Sequence, residues 1–504
     1  MKTRSFEPFE TKKAKNYIAS RVVLTLLAFT GLLCMFSALW YCDLFGDIGV
    51  ESVLFTVLAG FAGVQGGMVA SWIFSALVPS LLITGLIFFL LLKVPYILFK
   101  GRDAERFDKS RIVCAILTVV IIISSFASAF HSVGLDSFAI NLLAKTKIYE
   151  NEYIDPQSTN ITFPKEKRNL IYIYMESMET SFFSKEKGGA IDEDALSPLY
   201  NLAKDNINFS QSEEVGGGQT VFGTTWTSAA MMAHTSGIPM RSPVSLEAIA
   251  GNEFFDSTIT LSDILSENDY NQALMVGSNA EYGGRKDYYL QHGTDKVYDI
   301  YTAYEDGIVP EGYFEWWGME DKYLYSYAKQ KLSEMSKQSE PFAFTMLTVD
   351  THHVGGFKCS ECKDEFSEQY TNALACSARQ MSRFIEWIKA QDFYENTTII
   401  ISGDHYTMDN GFIKRNVNKK YTRRVYNCFI NAVGGSEHSK NREFTTLDMF
   451  PTTLSALGCE VEGNRLGLGV DLFSGEPTLC EKYGYRKLNM ELQKHSEYYI
   501  REFD

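Results

Sequence analysis

The hydrophobic positions divide the chain into two parts with different patterns. In the first part, three long stretches are almost free of charge: Val22–Cys42, Val69–Phe99 and Ile112–Phe130. A helix of about 20 residues covers the roughly 30 Å hydrocarbon core of a bilayer, so each stretch is long enough to span it. A fourth apolar stretch, Val53–Val64, is too short to span. We interpret it as an interfacial or re-entrant segment, with a fourth span as the alternative.

Basic residues indicate the direction of these spans. Lysines and arginines precede the first span and separate the next two at Lys100–Arg111, whereas residues 43–68 contain neither. Basic loops stay on the cytoplasmic side, so three spans satisfy the charge bias and place everything after Phe130 outside. The first span is too long and too internal for a cleaved signal, and we expect it to remain as an anchor. The pattern predicts a multi-pass protein of a cytoplasmic membrane.

In the second part, short strand-like runs alternate with amphipathic helical stretches. The predicted strands are Leu170–Met175, Gln272–Val276, Phe342–Val349, Thr398–Ser402 and Val425–Ile430. The helical stretches between them include Leu261–Asn268, Asp321–Gln338 and Tyr370–Gln391. This alternation favours an α/β domain, in which helices cover both faces of a mostly parallel sheet. We expect a membrane domain at residues 1–142, a linker at 143–168 and the α/β domain at 169–504.

Polar side chains follow several predicted strands at the point where each strand ends. Glu176 follows the first strand, His352 the third, and the pair Asp404-His405 the fourth. The carboxyl ends of parallel strands meet at one edge of a sheet, where open α/β folds bind ligands. Two carboxylates and an imidazole suit a divalent cation. A lone histidine or strand-end aspartate is more often structural, so the prediction depends on their convergence.

A loop rich in glycine, serine and threonine at residues 215–227 contains the candidate nucleophile, Thr224. It leads into a predicted helix through Ala229–His234. A hydroxyl at a helix start gains from the helix dipole and from free backbone N–H groups, which also suit a phosphate. Serine and threonine are ordinary helix N-caps, so the loop alone does not establish a site.

The composition excludes one class of partner and leaves the cysteines ambiguous. The net charge of −15 argues against nucleic acid, for which a basic face is expected. In an oxidising compartment we favour a disulfide from Cys359 or Cys362 to Cys376, with Cys459–Cys480 as a second candidate. Cys359-Ser-Glu-Cys362 also resembles half of a zinc-binding knuckle, but no second CxxC follows it.

Five sets of residues between Asn169 and Leu472 form a specific combination. They are Tyr174-Met-Glu-Ser-Met-Glu179, Gly223-Thr-Thr-Trp-Thr227 with Gly237-Ile-Pro239, Leu347-Thr-Val-Asp-Thr-His-His353, Ser402-Gly-Asp-His405 and Leu466-Gly-Leu-Gly469. The combination resembles the alkaline phosphatase/sulfatase superfamily, specifically its membrane-anchored phosphoglycerol transferases. That branch includes lipoteichoic acid synthase and a glucan phosphoglycerol transferase. The resemblance implies transmembrane helices of a bacterial inner membrane protein, followed by a sulfatase-like catalytic domain outside the cytoplasm.

The resemblance also implies the metal site. Glu176, Asp404 and His405 match metal ligands, and a threonine matches the nucleophile and fourth ligand. Thr224 and Thr225 compete for that role, and Thr224 fits the family spacing better. The usual ion in the family is Mn²⁺, and this set of ligands would also accept Zn²⁺ or Mg²⁺.

Two further residues match groups that contact the substrate. His352 matches a histidine that holds the substrate phosphate, and its ordinary pKa range would also permit it to protonate the leaving oxygen. Arg285 matches an arginine that binds phosphoglycerol, although the local spacing departs from the family pattern.

The implied activity is metal-dependent transfer of phosphoglycerol from phosphatidylglycerol through a covalent phospho-threonine intermediate. The acceptor would be a cell-envelope glycan or a polyglycerolphosphate chain. One alternative is a phosphoethanolamine transferase acting on lipid A or glycans, but the loop lacks the proline typical of that branch. A second alternative is a non-catalytic glycan-binding protein, which would predict degenerate ligands. Sulfatase activity is disfavoured, because no C/S-x-P-x-R motif occurs near the loop.

Overall fold

The computed structural model describes residues 8–45, 66–92, 104–241 and 255–503. They form two compact units, which meet in sequence between Ala139 and Ile140. The predicted interfacial stretch at 53–64 lies outside the described residues, as do residues 100–103 of the predicted basic loop between the second and third spans.

The N-terminal unit is helical. Its helices are α1 (Pro8–Phe45), α2 (Gly66–Trp72), α3 (Val78–Leu92) and α4 (Ala104–Ser132), and one π-helical turn joins α2 to α3. Three segments of the described residues are long and apolar enough to cross a membrane: Ile18–Leu44, Met68–Leu91 and Lys109–Ser132. These segments confirm the three predicted N-terminal apolar helices. Inside the unit, Ala28 and Leu32 pack with Ile87 and Leu91.

A seven-stranded sheet lies at the centre of the C-terminal unit, with the strand order β3–β8–β7–β2–β6–β4–β5. The strands of this sheet are β2 (Asn169–Met175), β3 (Gly217–Gly218), β4 (Asn271–Val276), β5 (Lys296–Tyr298), β6 (Phe342–Leu347), β7 (Thr397–Gly403) and β8 (Val425–Ile430). The five from β7 to β5 in this order are parallel, and β8 is antiparallel to both of its neighbours. The predicted mostly parallel sheet is confirmed.

Strand β2 shows why the central strands have continuous apolar runs. Tyr172 and Tyr174 face one hydrophobic core, while Ile171 and Ile173 face the other. Because helices cover both faces of a parallel sheet, every position of such a strand is buried. The alternation of side chains along a strand then divides them between two cores rather than between a core and water.

Helices flank the sheet on both faces, as predicted. The boundary between the two units falls within α5 (Leu135–Leu143). In chain order, the helices of the C-terminal unit are α6 (Ile148–Glu152), α7 (Ser197–Asp205), α8 (Thr227–Ser236), α9 (Leu261–Ser266), α10 (Arg285–Gln291), α11 (Ile300–Glu305), α12 (Asp321–Met335), α13 (Gln369–Lys389), α14 (Asn410–Asn416), α15 (Met449–Ala456), α16 (Leu479–Tyr483), α17 (Tyr485–Gln493) and α18 (Glu497–Phe503). Helices α8, α9 and α15 contribute to one core, and α7, α12 and α13 to the other.

The segment predicted as a linker, 143–168, packs against the C-terminal part of the chain. Strand β1 (Ile161–Thr162) pairs with β9 (Glu460–Val461), and a short antiparallel pair, β10 (Arg465–Leu466) and β11 (Gly469–Val470), follows. Tyr149 is fully buried. The segment was predicted as a linker because its composition is mostly polar. A few apolar side chains are enough to make these contacts.

Candidate active site

The sheet brings the ends of β2 and β7 together. These strands are parallel neighbours, and Met175 lies opposite Gly403. The next residue on each strand is therefore also adjacent, which sets Glu176 beside Asp404. His405 follows at once. Register alone thus places residues that are more than 200 positions apart in sequence at one point of the sheet edge.

Glu176, Asp404 and His405 are buried, and their ligand atoms lie within 4.8 Å of one another. His405 Nε2 is 3.3 Å from Asp404 Oδ2 and 3.7 Å from Glu176 Oε1. Metal–ligand bonds of about 2.0–2.2 Å leave neighbouring ligand atoms roughly 3.0–3.6 Å apart. Asp404 Oδ2 is buried and has no hydrogen-bond partner among the described residues, as is expected of a ligand atom. The set therefore fits a divalent cation.

Neighbouring groups orient these ligands. Asp404 Oδ1 accepts hydrogen bonds of 2.7 Å from the backbone N–H groups of Ser177 and His405, which directs Oδ2 toward the cluster. His405 Nδ1 donates to the Tyr406 carbonyl at 2.8 Å. A carbonyl can only accept, so the proton is on Nδ1 and the lone pair of Nε2 faces the cluster. Fixing the tautomer through the second ring nitrogen is typical of metal-binding histidines.

The cluster concentrates negative charge in a buried place. Burial and the Glu176 carboxylate raise the pKa of Asp404 above its ordinary value. Burial opposes the charged form of His405, but the Asp404 and Glu176 carboxylates outweigh it and raise the pKa of the imidazole. A bound cation would relieve the repulsion between the two carboxylates.

The threonine loop contributes a hydroxyl at a different position from the predicted one. Thr227 Oγ1 lies 3.3 Å from His405 Nε2 and 3.4 Å from Glu176 Oε2. Thr224 is fully buried, and its hydroxyl exchanges 2.9 Å hydrogen bonds with the Val221 backbone. Helix α8 begins at Thr227. We expected the candidate nucleophile to be a hydroxyl at the start of a helix, and Thr227 is the threonine at that position. Thr227 was not among the predicted site residues.

His352 lies in the loop after β6, partly exposed. Its Nδ1 donates to the His353 carbonyl at 2.8 Å, which leaves Nε2 without a proton in the neutral ring. The ring packs 4.3 Å from Trp317. Burial lowers the pKa of His352 to about 4, partly offset by its hydrogen bond to the His353 carbonyl. The imidazole is therefore neutral at pH 7.

Arg285 begins α10 and is held by its own turn. Its guanidinium donates to the carbonyls of Tyr282 and Asn279 and to Ser278 Oγ, and Nη1 has no hydrogen bond to the described residues. Burial lowers the pKa of Arg285, while the charges of Tyr282, Glu176 and Asp404 oppose that shift, which puts the cation within electrostatic reach of the cluster.

Two aromatic side chains, Tyr282 and Trp317, form a series of contacts from Arg285 to His352. The guanidinium lies 5.9 Å from the Tyr282 ring centre, and Tyr282 lies 5.9 Å from Trp317, which contacts His352. Neither Tyr282 nor Trp317 was predicted as a site residue. Tyr282 lies three residues before Arg285 in the sequence, but nothing local to Trp317 indicates its position.

Comparison with known proteins identifies the fold family. Residues 168–459, more than half of the chain, match the Sulfatase family model. The chain belongs to the Sulfatase family. Phosphoglycerol transferase I of Escherichia coli (strain 55989 / EAEC) is 31% identical over 322 residues, covering 62% of this chain and 40% of that protein. The chain thus spans about two fifths of the length of the curated relatives it matches.

A solved structure agrees on the fold. The integral membrane protein lipooligosaccharide phosphoethanolamine transferase A (EptA) of Neisseria meningitidis matches with a TM-score of 0.51 and 13% sequence identity. The match covers 87% of this chain and 84% of that one. At this identity the likeness shows the fold alone, and it extends to most of both chains.

A buried ion pair supports the ligand loops of this Sulfatase-family chain. Glu179, three residues after Glu176, is fully buried and accepts two hydrogen bonds from Arg423, one of them 2.7 Å long from Nε. Arg423 also donates to the Thr407 carbonyl at 2.8 Å, two residues after His405. The pair thus connects the loops after β2 and β7, and sequence reasoning did not find it.

Arg423→Met is expected to destabilise the C-terminal unit by about 3–5 kcal/mol, because it leaves the buried Glu179 carboxylate without its cationic partner, while the Thr407 N–H still donates to it at 3.1 Å. The measurement is thermal or denaturant unfolding of the purified protein in detergent. Arg415→Met is the matched control, because its ion pair with Glu368 lies at the surface and should contribute at most about 1 kcal/mol. Equal losses in the two variants would contradict the supporting role of the buried pair.

Proposed function

We propose that the chain transfers phosphoglycerol from phosphatidylglycerol to an acceptor of the cell envelope, either a glycan or a polyglycerolphosphate chain. The observation that carries the proposal is the convergence of Glu176, Asp404 and His405 with a threonine hydroxyl at one edge of the sheet. The curated relatives named phosphoglycerol transferase I support the choice of transferred group. We further propose that this domain, residues 169–504, works outside the cytoplasm of a bacterial inner membrane protein.

The ligand set suits the proposed cofactor. Two carboxylates, one imidazole and a hydroxyl favour Mn²⁺, with Zn²⁺ and Mg²⁺ as alternatives. Held by Glu176, Asp404 and His405, such a cation would neutralise charge on a phosphoryl oxygen and lower the pKa of a nearby hydroxyl.

The proposed reaction has two half-reactions. In the first, a threonine oxygen forms a bond to the lipid phosphorus, and the bond from phosphorus to the diacylglycerol oxygen breaks. The threonine proton ends on diacylglycerol, and phosphoglycerol stays on the protein as a diester. In the second, an acceptor hydroxyl displaces the threonine oxygen and returns a proton to it. This double displacement predicts ping-pong kinetics.

Three threonines are candidates for the nucleophile, and Thr225 stays the alternative to Thr224 that the family spacing leaves open. We assign the role to Thr224 on the family spacing, while the contacts of Thr227 with Glu176 and His405 favour Thr227. In the second half-reaction the bare Nε2 of neutral His352 is suited to accept the acceptor's proton. The free Nη1 of Arg285 is suited to a phosphate or glycerol oxygen.

A phosphoethanolamine transferase is the second candidate function, because the fold of EptA matches most of the chain. Both functions need the same metal and nucleophile, and they differ in the lipid headgroup that is transferred. A non-catalytic glycan-binding role does not require the converging ligands at all.

The test uses the full chain in detergent with Mn²⁺ and fluorescent phosphatidylglycerol or phosphatidylethanolamine. We expect diacylglycerol release from phosphatidylglycerol and a phosphoglycerol mass added to a threonine peptide. Release from phosphatidylethanolamine alone would favour the second function, and release from neither lipid would contradict both. Asp392→Asn, which changes an exposed carboxylate, controls for preparation effects.

A further inference from the structure

Three cysteines outside the candidate active site lie together. Cys359 Sγ is 3.9 Å from Cys376 Sγ and 3.6 Å from Cys362 Sγ, and the three sulfurs lie within 4.8 Å of one another. Cys359 and Cys376 are buried, and Cys362 is partly exposed. All three are free thiols, so the predicted disulfide to Cys376 is not formed in the structure.

The spacing of the sulfurs matches tetrahedral thiolate coordination. Zinc–sulfur bonds of about 2.3 Å place neighbouring sulfurs about 3.8 Å apart. The separations of Cys359 Sγ from Cys362 Sγ and from Cys376 Sγ, 3.6 and 3.9 Å, lie on either side of that value. Cys359 and Cys362 also have the CxxC spacing of a zinc knuckle, and the Cys362 N–H donates to the Cys359 carbonyl at 3.0 Å to close the turn.

N–H groups point at the sulfurs, as they do around thiolates. The backbone N–H of Glu361 lies 3.4 Å from Cys359 Sγ. The side-chain amide of Gln380, which is only 4% exposed, places Nε2 3.4 Å from Cys376 Sγ and 3.7 Å from Cys359 Sγ. Its Oε1 is buried, and no residue in the described part of the chain forms a hydrogen bond with it. A glutamine buried with its amide nitrogen directed at two sulfurs is explained by negative charge on those sulfurs.

Three acidic residues of the surrounding loop are already paired. Arg383 binds Glu361, Arg379 binds Glu365, and Lys358 binds Asp364. Within the described residues, no fourth histidine, cysteine or carboxylate joins the group of three. Because Cys362 is partly exposed, we expect water to be available as a fourth ligand.

We propose that Cys359, Cys362 and Cys376 bind a Zn²⁺ ion, with water in the fourth position. Cys359 and Cys362 lie in the loop that leaves β6 and contains His352, while Cys376 lies on α13. The ion would connect this loop to the helix, so its role would be structural. The transfer chemistry would stay with Glu176, Asp404 and His405. Such a role lets zinc contribute directly to folding free energy.

The test uses cobalt as a spectroscopic substitute for zinc in the reduced full chain in detergent. Thiolate–cobalt charge-transfer absorption in the near ultraviolet is expected, and oxygen and imidazole ligands around Glu176 do not produce it. We expect the band in the wild type and in Asp404→Asn, and its loss in Cys376→Ser and Cys362→Ser. Cys428→Ser is the matched control, because Cys428 is another buried free thiol, donates to the Leu202 carbonyl and lies outside the group of three cysteines.

Two further measurements test whether zinc stabilises the protein through these cysteines and whether the cysteines form a disulfide. Zinc should raise the unfolding temperature of the wild type and of Cys428→Ser, but not of Cys362→Ser, whose partly exposed position tolerates serine. Alkylation and intact-mass analysis of the unreduced protein should find all three thiols free once zinc is removed. A disulfide between any two of them, or three free thiols without the cobalt band, would overturn the proposal. Lipid transfer takes no part in these readouts, so they stand apart from the proposed function.

Discussion

Removing the hydroxyl of the nucleophilic threonine is expected to lower lipid cleavage by roughly 10⁴-fold or more, because no other group can form the covalent intermediate. The variants are Thr224→Val, Thr225→Val and Thr227→Val, which keep the branched shape and remove only the hydroxyl. The measurement is the burst of diacylglycerol from phosphatidylglycerol, together with mass analysis of the peptide that contains the adduct.

The three variants separate a nucleophile from a ligand. If Thr224 attacks, Thr224→Val forms no adduct, whereas Thr227→Val weakens Mn²⁺ binding and recovers the adduct at saturating metal. If Thr227 attacks, its valine variant forms no adduct at any metal concentration, and Thr224→Val retains cleavage. Thr225→Val should behave as the wild type in either case. Loss of the adduct in Thr225→Val alone would contradict both assignments, and serine at the essential position should restore part of the activity.

Asp404→Asn is expected to reduce transfer by about 10³-fold or more, since several kcal/mol of charge stabilisation depend on the bound cation. Asparagine keeps an oxygen that can accept from the Ser177 and His405 N–H groups, so the loop should remain folded. The change removes one charge from the metal site. Isothermal titration with Mn²⁺ should show the lost affinity alongside the lost activity.

Asp392→Asn, an identical substitution at an exposed position, is expected to leave both quantities unchanged. An Asp404→Asn protein with wild-type Mn²⁺ affinity would contradict the assignment of the ligand. Unfolding measurements complete the comparison. Because burial raises the pKa of Asp404, replacing this carboxylate with a neutral amide should not destabilise the metal-free protein.

The sequence was sufficient for the main elements of the C-terminal unit, and the reason is physical. Long apolar runs such as β2 and β7 are buried on both faces. Such continuous runs predict central strands of a parallel sheet with little ambiguity. The adjacency of Glu176 and Asp404 then follows from parallel register. Strands β3 and β5 were missed, since runs of two or three residues are too short to show a pattern.

The details of the site depended on information that local patterns do not contain. Helix α8 begins three residues after Thr224, and its N-cap is Trp226, which makes no side-chain cap hydrogen bond. A cap without the usual serine or aspartate signal could not be located from the sequence. Trp317 reaches His352 because the residue after it, Gly318, bridges to Ser278 beyond β4, and β4 and β6 are neighbours in the sheet. Local sequence patterns do not contain the order of the strands in a sheet.

The packing of residues 145–154 decides where a water-soluble fragment can begin. Lys145 forms an isolated β-bridge with His495, and Ile154 forms one with Gly467. This segment therefore connects the N-terminal and C-terminal ends of the α/β unit. A fragment cut at Asn169, where the motifs of the family resemblance start, would expose the pocket that Tyr149 fills and remove the partner of β9. Expression of a water-soluble fragment should therefore start upstream of Lys145, even though no motif residue lies there.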